Sequence, residues 1–227
     1  MPMRVADTHT AGSLANRLRA RRLELFSQLI EPLAKPVRIA DMGGTTRFWE
    51  MMGWTGRSDI HITLLNLYPQ PQRYANIVTV AGDGCHLPQF GDRAFDVVFS
   101  NSVIEHLFTF ENQRRMAGEI QRIGGAYFVQ TPNYYFPFEP HFHFLGWQYL
   151  PVAVRVFMLR RFRCGWYSPI ADAEIARLKV TEIRLLSRGD LGRLFPGATL
   201  LPERFLGLTK SWTALRGFPG LGLAGRL

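Results

Sequence analysis

The stretch VRIADMGG, residues 37–44, is a short apolar run that breaks on two adjacent glycines. That pattern predicts a buried strand feeding a tight turn. It recurs downstream: HITLLN (61–66) stops at Tyr68-Pro69, IVTVAG (77–82) stops at Asp83-Gly84, and FDVVFSN (95–101) runs into SVIEHLFTF. A polar helical segment, ENQRRMAGEIQRI (111–123), then precedes AYFVQT (126–131). Near-continuous apolar strands separated by helical segments are what a parallel sheet covered on both faces requires, so the expected class is doubly wound α/β. The last two runs, ATLLPERF (198–205) and TKSWTALR (209–216), lie too close for a parallel crossover and predict an antiparallel hairpin closing the sheet edge. Upstream, Leu14, Leu18, Leu25, Leu29 and Ile30 recur at helical spacing behind Ser13, a suitable N-cap, and Pro32 and Pro36 close this amphipathic helix. The expected organisation is a leading helix in residues 1–36, one domain over 37–216, and a flexible tail over 217–227.

A chain of 227 residues, 47% hydrophobic and 20% charged, is one large globular domain rather than a disordered or fibrous polymer. No run of about 18 apolar residues is present and Met1 to Thr10 lacks the apolar core of an export signal, so a cytoplasmic location is expected. Cys85 and Cys164, the only two cysteines, are too few for a disulfide framework and suit a reducing compartment. The net charge of +9 is unevenly spread: residues 151–227 hold 13 of the 27 basic side chains and 5 of the 18 acidic ones, while residues 36–150 carry slightly more acid than base. Basic flanks around a non-basic centre do not make a nucleic-acid interface, so no nucleic-acid partner is expected.

In an open α/β sheet, ligands bind at the carboxyl ends of the strands near the topological switch point. The informative positions are therefore Asp41 to Thr46, Asn66-Leu67, Asp83-Gly84-Cys85, and Asn101-Ser102 with Glu105-His106. Gly43 and Gly44 let the backbone turn and approach a ligand. Asp41 beside them, and the absence of G-x-G-x-x-G, argue against a pyrophosphate and for a cationic or zwitterionic ligand.

In their order and spacing, IADMGG, ITLLN, AGDGCHLP and FDVVFSNSVIEHL resemble four motifs of the class I S-adenosylmethionine-dependent methyltransferases, in the small bacterial single-domain form akin to methyltransferase type 11. The resemblance covers about Val37 to Arg216. It implies a Rossmann-like, mostly parallel seven-stranded sheet with an antiparallel last strand, and S-adenosylmethionine as cofactor. Gly43 and Gly44 would then face the methionine part of that cofactor, Asp41 its ammonium, Asn66 the ribose hydroxyls, and Asp83, Gly84 and Cys85 the adenine, with Thr45 and Leu67 as further cofactor-binding candidates. Asn101 and Ser102, with Glu105 and His106 on the following turn, would form the floor between cofactor and acceptor. Thr45 and Arg47 stand where the family has further glycines, and Asn66 stands where it has a carboxylate that can accept from both ribose hydroxyls.

After the fifth strand, residues 131–170 are expected to form an acceptor loop and lid. Asn133, Tyr134, Tyr135, Glu139 and Trp147 are its substrate-binding candidates, because aromatic walls with a few polar groups build small-molecule pockets. His106, His141 and His143 are the catalytic candidates, as bases toward a hydroxyl acceptor. The Glu139-x-His-x-His spacing could also ligate a metal, but a packed aromatic loop suits it better and no metal is expected. His106 has an alternative role holding its turn, and Glu105 reads as a turn-stabilising carboxylate. The arginines of residues 17–22 read as the solvated face of the leading helix. WQYLPVAVRVFMLRRFR (147–163) is apolar with arginines at its end, which suits a lid or core helix and alternatively peripheral membrane contact through the basic C-terminal third. The expected activity is methyl transfer, at oxygen, to a small-molecule or lipid-linked acceptor. The alternatives are a membrane-surface methyltransferase acting on a lipid or glycan intermediate, and a non-catalytic Rossmann-like binding module.

Overall fold

A computed structural model describes residues 14–219, and the side chains from residue 20. The Ser13 cap and most of the tail lie outside the described residues. Helix α1 spans Leu14–Ile30. It leads into strands β1 (Val37–Met42), β2 (Ile60–Asn66), β3 (Ile77–Ala81), β4 (Phe95–Asn101) and β5 (Gly124–Pro132), with α2 (Thr46–Met51) after β1 and α3 (Phe110–Ile123) before β5. The segment expected to form the acceptor loop and lid follows, with the two-residue strands β6 (Phe138–Glu139) and β7 (Phe144–Leu145) and helix α4 (Val152–Arg161), and helix α5 (Ala173–Glu182) packs with it. Helix α6 (Arg188–Leu194) returns the chain to β8 (Thr199–Phe205) and β9 (Leu208–Arg216).

The main sheet has seven strands in the order β3-β2-β1-β4-β5-β9-β8. Strands β1 to β5 are mutually parallel, and β9 alone runs against the others. This is the expected α/β architecture. The hairpin closes the sheet edge, with its second strand β9 beside β5 and β8 outermost. Its two-residue turn, Leu206-Gly207, has both residues at positive φ, the conformation whose twist matches a tight hairpin. The order reverses between β1 and β4, which opens the ligand crevice at their carboxyl ends.

Side chains alternate along each strand between two cores. On one face Ala40, Met42, Val98 and Val129 pack under α3 and α6. On the other, Ile39, Val97, Phe99 and Phe128 pack with Phe26 of α1 and with Trp49 and Trp54. The Phe26 ring lies within 4.7–6.4 Å of Phe99, Phe128, Trp54 and Trp49, and each fully buried aromatic of this kind stabilises the fold by about 2–3 kcal/mol. Phe218 is buried in this second core, so packing continues past residue 216. A third, separate core beneath the lid contains Phe142, Trp147, Leu159, Ala176 and Val180.

Candidate functional site

At the end of β1 the chain turns on Gly43, whose φ of 75° a side chain would strain and whose missing Cβ lets Val103 approach. Thr45 then caps α2, its Oγ1 accepting from the Phe48 N–H. Asp41 points to the face opposite α3 and is only 2% exposed. The Trp49 indole donates to its Oδ2 at 2.8 Å, and the carboxylate fills the space where a Cβ on Gly44 would stand. Burial drives the Asp41 carboxyl up to about 7, against the lowering effect of the Trp49 bond. The carboxylate braces the loop from beneath. At the end of β2, Asn66 Nδ2 donates to the Gly44 carbonyl at 2.9 Å, which ties the first two loops together. Leu67 beside it leaves a large apolar side chain 67% exposed. After β3, Asp83 Oδ1 accepts from the Cys85 N–H, while Cys85 Sγ turns to the Asn112 carbonyl on α3. Burial first, then Asp83, pushes the Cys85 thiol up to about 11.

These loops fit a nucleoside better than they fit an ammonium group. With its Nδ2 fixed on Gly44, Asn66 presents its carbonyl oxygen as an acceptor suited to a ribose hydroxyl, and exposed Leu67 offers an apolar face to a flat base. Asp41 offers much less to the amino-acid end, because it lies under the loop.

Beyond β4, Ser102 takes a positive φ of 57°, its N–H donates to the Gln130 carbonyl, and its Oγ donates to Gln130 Oε1. The same Gln130 oxygen and Asn101 Oδ1 accept from Arg22 Nη1 at 3.0 and 2.5 Å. Arg22 also pairs with Glu203 of β8 at 2.8 Å. Arg21 is exposed, but Arg22 is not part of a solvated face: its side chain is 11% exposed and links α1 to three strands at the crevice. The sequence did carry a sign of this, since Arg22 falls in the helical stripe of Leu18, Leu25 and Leu29.

A second group forms where the one-turn 3-10 helix Ile104–His106 meets the lid. Gln113 of α3 holds that turn, its Nε2 donating to the Ile104 and Arg184 carbonyls. Glu105 is completely buried. Its Oε2 accepts from Thr131 Oγ1 at 2.9 Å, and its Oε1 has no hydrogen-bond partner. The carboxylate thus reaches across to β5. Burial raises its pKa, while His106 and His141 act in the opposite sense. The His106 ring meets the His141 ring edge to face at 4.9 Å, and its Nδ1 lies 3.4 Å from Glu182 of α5. His141 Nδ1 lies 2.6 Å from Glu139. Burial disfavours the charged form of His141, but Glu139 and then Glu105 and Glu182 outweigh it and raise its pKa.

Other expected site residues serve the loop itself. Glu139, 1% exposed, accepts from the His141 and Phe142 N–H groups as well as lying on the His141 ring. It orients His141. Trp147 stacks on Phe142 at 4.3 Å inside the third core. Asn133 spends its carboxamide on backbone, donating to the Thr209 carbonyl and accepting from the Tyr135 N–H. Tyr134 packs edge-on against Tyr135 and Tyr149, and Tyr135 is 67% exposed. His143 turns from the other imidazoles to Phe138 and Trp166, and burial lowers its pKa. Glu182 and Thr131 join the cluster without any motif to announce them.

Comparison with known proteins matches residues 44–128 to a family described as a methyltransferase domain. Uncharacterized proteins from two strains of Mycobacterium tuberculosis are 38% identical over 52 residues, which is 23% of this chain and 18% of theirs. The match thus spans about a fifth of the length of these curated relatives. A Bordetella parapertussis protein described as exported shares the fold at TM-score 0.55 and 12% identity, covering 92% of this chain and 75% of that one. A Rhodobacter sphaeroides protein, described as a candidate zinc-dependent alcohol dehydrogenase, does so at TM-score 0.52 and 11% identity, covering 86% and 88%. Among the described residues, no helix is long and apolar enough to cross a membrane. The matched segment contains the Gly44 loop, the ends of β2 to β4 and the Glu105-His106 turn, so the part of this seven-stranded sheet that forms the crevice is similar to a methyltransferase domain.

Proposed function

We propose that this chain transfers a methyl group to an oxygen of a small-molecule or lipid-linked acceptor, whose hydroxyl is held at the imidazoles of His106 and His141. The observation that carries this reading is the pair of rings 4.9 Å apart, next to the unpartnered carboxylate oxygen of Glu105, directly after the strand that floors the crevice. Bound S-adenosylmethionine supplies a sulfonium methyl, the S–C bond breaking as the new O–C bond forms and S-adenosylhomocysteine leaving. Asn66 and Leu67 hold the nucleoside, and the Arg22–Asn101–Gln130–Ser102 network keeps the floor rigid. An imidazole nitrogen receives the hydroxyl proton, and Glu139 keeps His141 oriented for that task. Positioning supplies most of the rate in such a displacement.

The test is calorimetric titration with S-adenosylmethionine and S-adenosylhomocysteine, followed by matched panels of hydroxyl and amine acceptors. Both nucleosides bind, Asn66→Ala weakens them by about 1 kcal/mol, and His141→Gln lowers methylation of hydroxyl acceptors without changing cofactor affinity. Methylation of amines alone would defeat the oxygen assignment. No binding by folded protein would leave a non-catalytic binding module.

A second reading, methyl transfer at a membrane surface, is favoured by one further observation. Phe157 and Phe162, each 58% exposed, and Trp166, 54% exposed, lie beside exposed Arg160, Arg161 and Arg163.

A further inference from the structure

We infer that Glu105, His106 and His141 form a binding site for one divalent first-row transition-metal ion. Each residue offers one ligand atom, and the three atoms lie within 4.8 Å of one another. An empty trio contracting onto a cation brings such atoms closer, since zinc binds imidazole nitrogen at about 2.0–2.1 Å and carboxylate oxygen at about 2.0–2.2 Å.

Three independent features favour a cation over a chance cluster. The first is Glu105. A wholly buried carboxylate oxygen without a hydrogen-bond partner is costly, and here it lies in a group with two imidazoles. The second is the orientation of both histidines. His141 Nδ1 faces Glu139 at 2.6 Å and His106 Nδ1 faces Glu182 at 3.4 Å, which leaves the Nε2 atom of each ring as the free ligand. A carboxylate behind the far nitrogen of an imidazole is how metal-bound histidines are fixed in tautomer and direction. Glu139 is itself fixed by the His141 and Phe142 N–H groups, and Lys179 bonds the second oxygen of Glu182 at 2.9 Å, so the outer layer is anchored as well. The third is access. Glu105 is sealed, but His106 and His141 retain 33% and 17% of their side-chain exposure, so an ion can reach them.

The donor set decides the class of ion. Two imidazoles and one carboxylate suit zinc, manganese, iron or cobalt better than magnesium or calcium, which prefer all-oxygen shells. Three protein ligands also leave coordination positions open, as in sites that bind a further oxygen ligand. The sequence motif that first suggests a metal, Glu139-x-His141-x-His143, is not the site. Glu139 stands behind His141, and His143 packs on Phe138 and Trp166. The ligands come instead from the turn after β4 and the loop after β5, which only the fold brings together.

The proposal shares its cluster with the acceptor reading and would replace the imidazole base there, since an ion held through both Nε2 atoms leaves neither ring free to take a proton; it does not depend on methyl transfer and is tested without cofactor. Chelator-stripped full-length protein is titrated with Zn²⁺, and with Co²⁺ while visible absorption is recorded; Mg²⁺ serves as the comparison. The expected result is one equivalent of Zn²⁺ or Co²⁺ per chain and little response to Mg²⁺. His141→Gln and His106→Gln abolish the cobalt bands, Glu182→Gln weakens binding by about 10- to 100-fold, and His143→Gln leaves it unchanged. Circular dichroism checks folding, and half-buried His106 provides a ligand variant that keeps the core intact if Glu105→Gln does not fold. Failure of folded wild type to bind either ion, or binding that survives His106→Gln and His141→Gln, overturns the site. Cofactor titration of the same stripped protein is a separate reading, so loss of the metal proposal leaves the methyltransferase proposal standing, and the reverse.

Discussion

Asp41 lies under the first loop with the Trp49 indole as its hydrogen-bond donor, and burial raises its carboxyl to about 7. In the unfolded chain the same group titrates near 4, so the folded state binds the extra proton and this residue's contribution to stability falls as pH rises from about 4 to about 7. The full penalty, on the order of 4 kcal/mol, is present above pH 7. Asp41→Asn keeps an acceptor for Trp49 and removes the charge. Urea melts are expected to show the variant gaining on wild type by roughly 3 kcal/mol more at pH 8 than at pH 5. A gain that is the same at both values would show that Asp41 does not titrate in this window. The position of Asp41 was legible in the sequence, because a strand that ends on a glycine pair fixes which residues reach its carboxyl end. Its direction was not. Whether a side chain points into the crevice or under the loop depends on α2, which brings Trp49 to it. Glu139 and Trp147 differ from expectation for a similar reason. Their partners are two, three and five residues away within a loop that has no periodicity to read.

At the scale of elements, the strands were legible because apolar runs that stop on turn residues are distinctive, and the antiparallel hairpin followed from its short link. The inner elements of the lid segment were not, since β6, β7, α4 and α5 assemble around their own core from segments whose apolar residues have no single period. The docking of α1 was half legible. Its apolar stripe was evident, but the arginine within it gains meaning only from Asn101, Gln130 and Glu203, which lie 79 to 181 residues away. That arrangement makes α1 part of the site rather than an appendage. Replacing Arg22 with leucine removes the charge that balances Glu203 and leaves two carboxamides without their donor. The expected loss is about 3 kcal/mol in denaturant unfolding, moderated by Lys210, which also approaches Glu203 at 3.7 Å. Adding Glu203→Gln to Arg22→Leu is expected to recover a good part of that loss, since the buried charge is then gone. A double variant as unstable as the sum of the singles would show that the two residues act independently.

For the molecule as a whole, the charge map divides the chain within the lid. The sheet's first five strands, their crevice and the lid's β6 and β7 come from the nearly neutral centre, while the arginine-rich last third contributes α4, α5 and the far edge. On the lid, α4 buries Leu159 and leaves Val154 and Phe157 exposed, and Phe162 and Trp166 follow among Arg160, Arg161 and Arg163. Exposed aromatics among cationic side chains suit an anionic lipid interface, where the rings enter the headgroup region and each arginine near the surface adds about 1 kcal/mol. If this face brings the acceptor loop to a lipid-linked substrate, the protein sediments with vesicles containing phosphatidylglycerol and not with phosphatidylcholine alone. Arg161→Ser with Arg163→Ser should then lower partitioning roughly 30-fold, and raising the salt concentration should act in the same direction. Phe157→Ser should weaken binding to a degree that salt does not change, because it removes apolar contact rather than charge. Equal sedimentation with both lipids, or none with either at low salt, would assign the exposed aromatics to another role and leave a soluble small molecule as the acceptor.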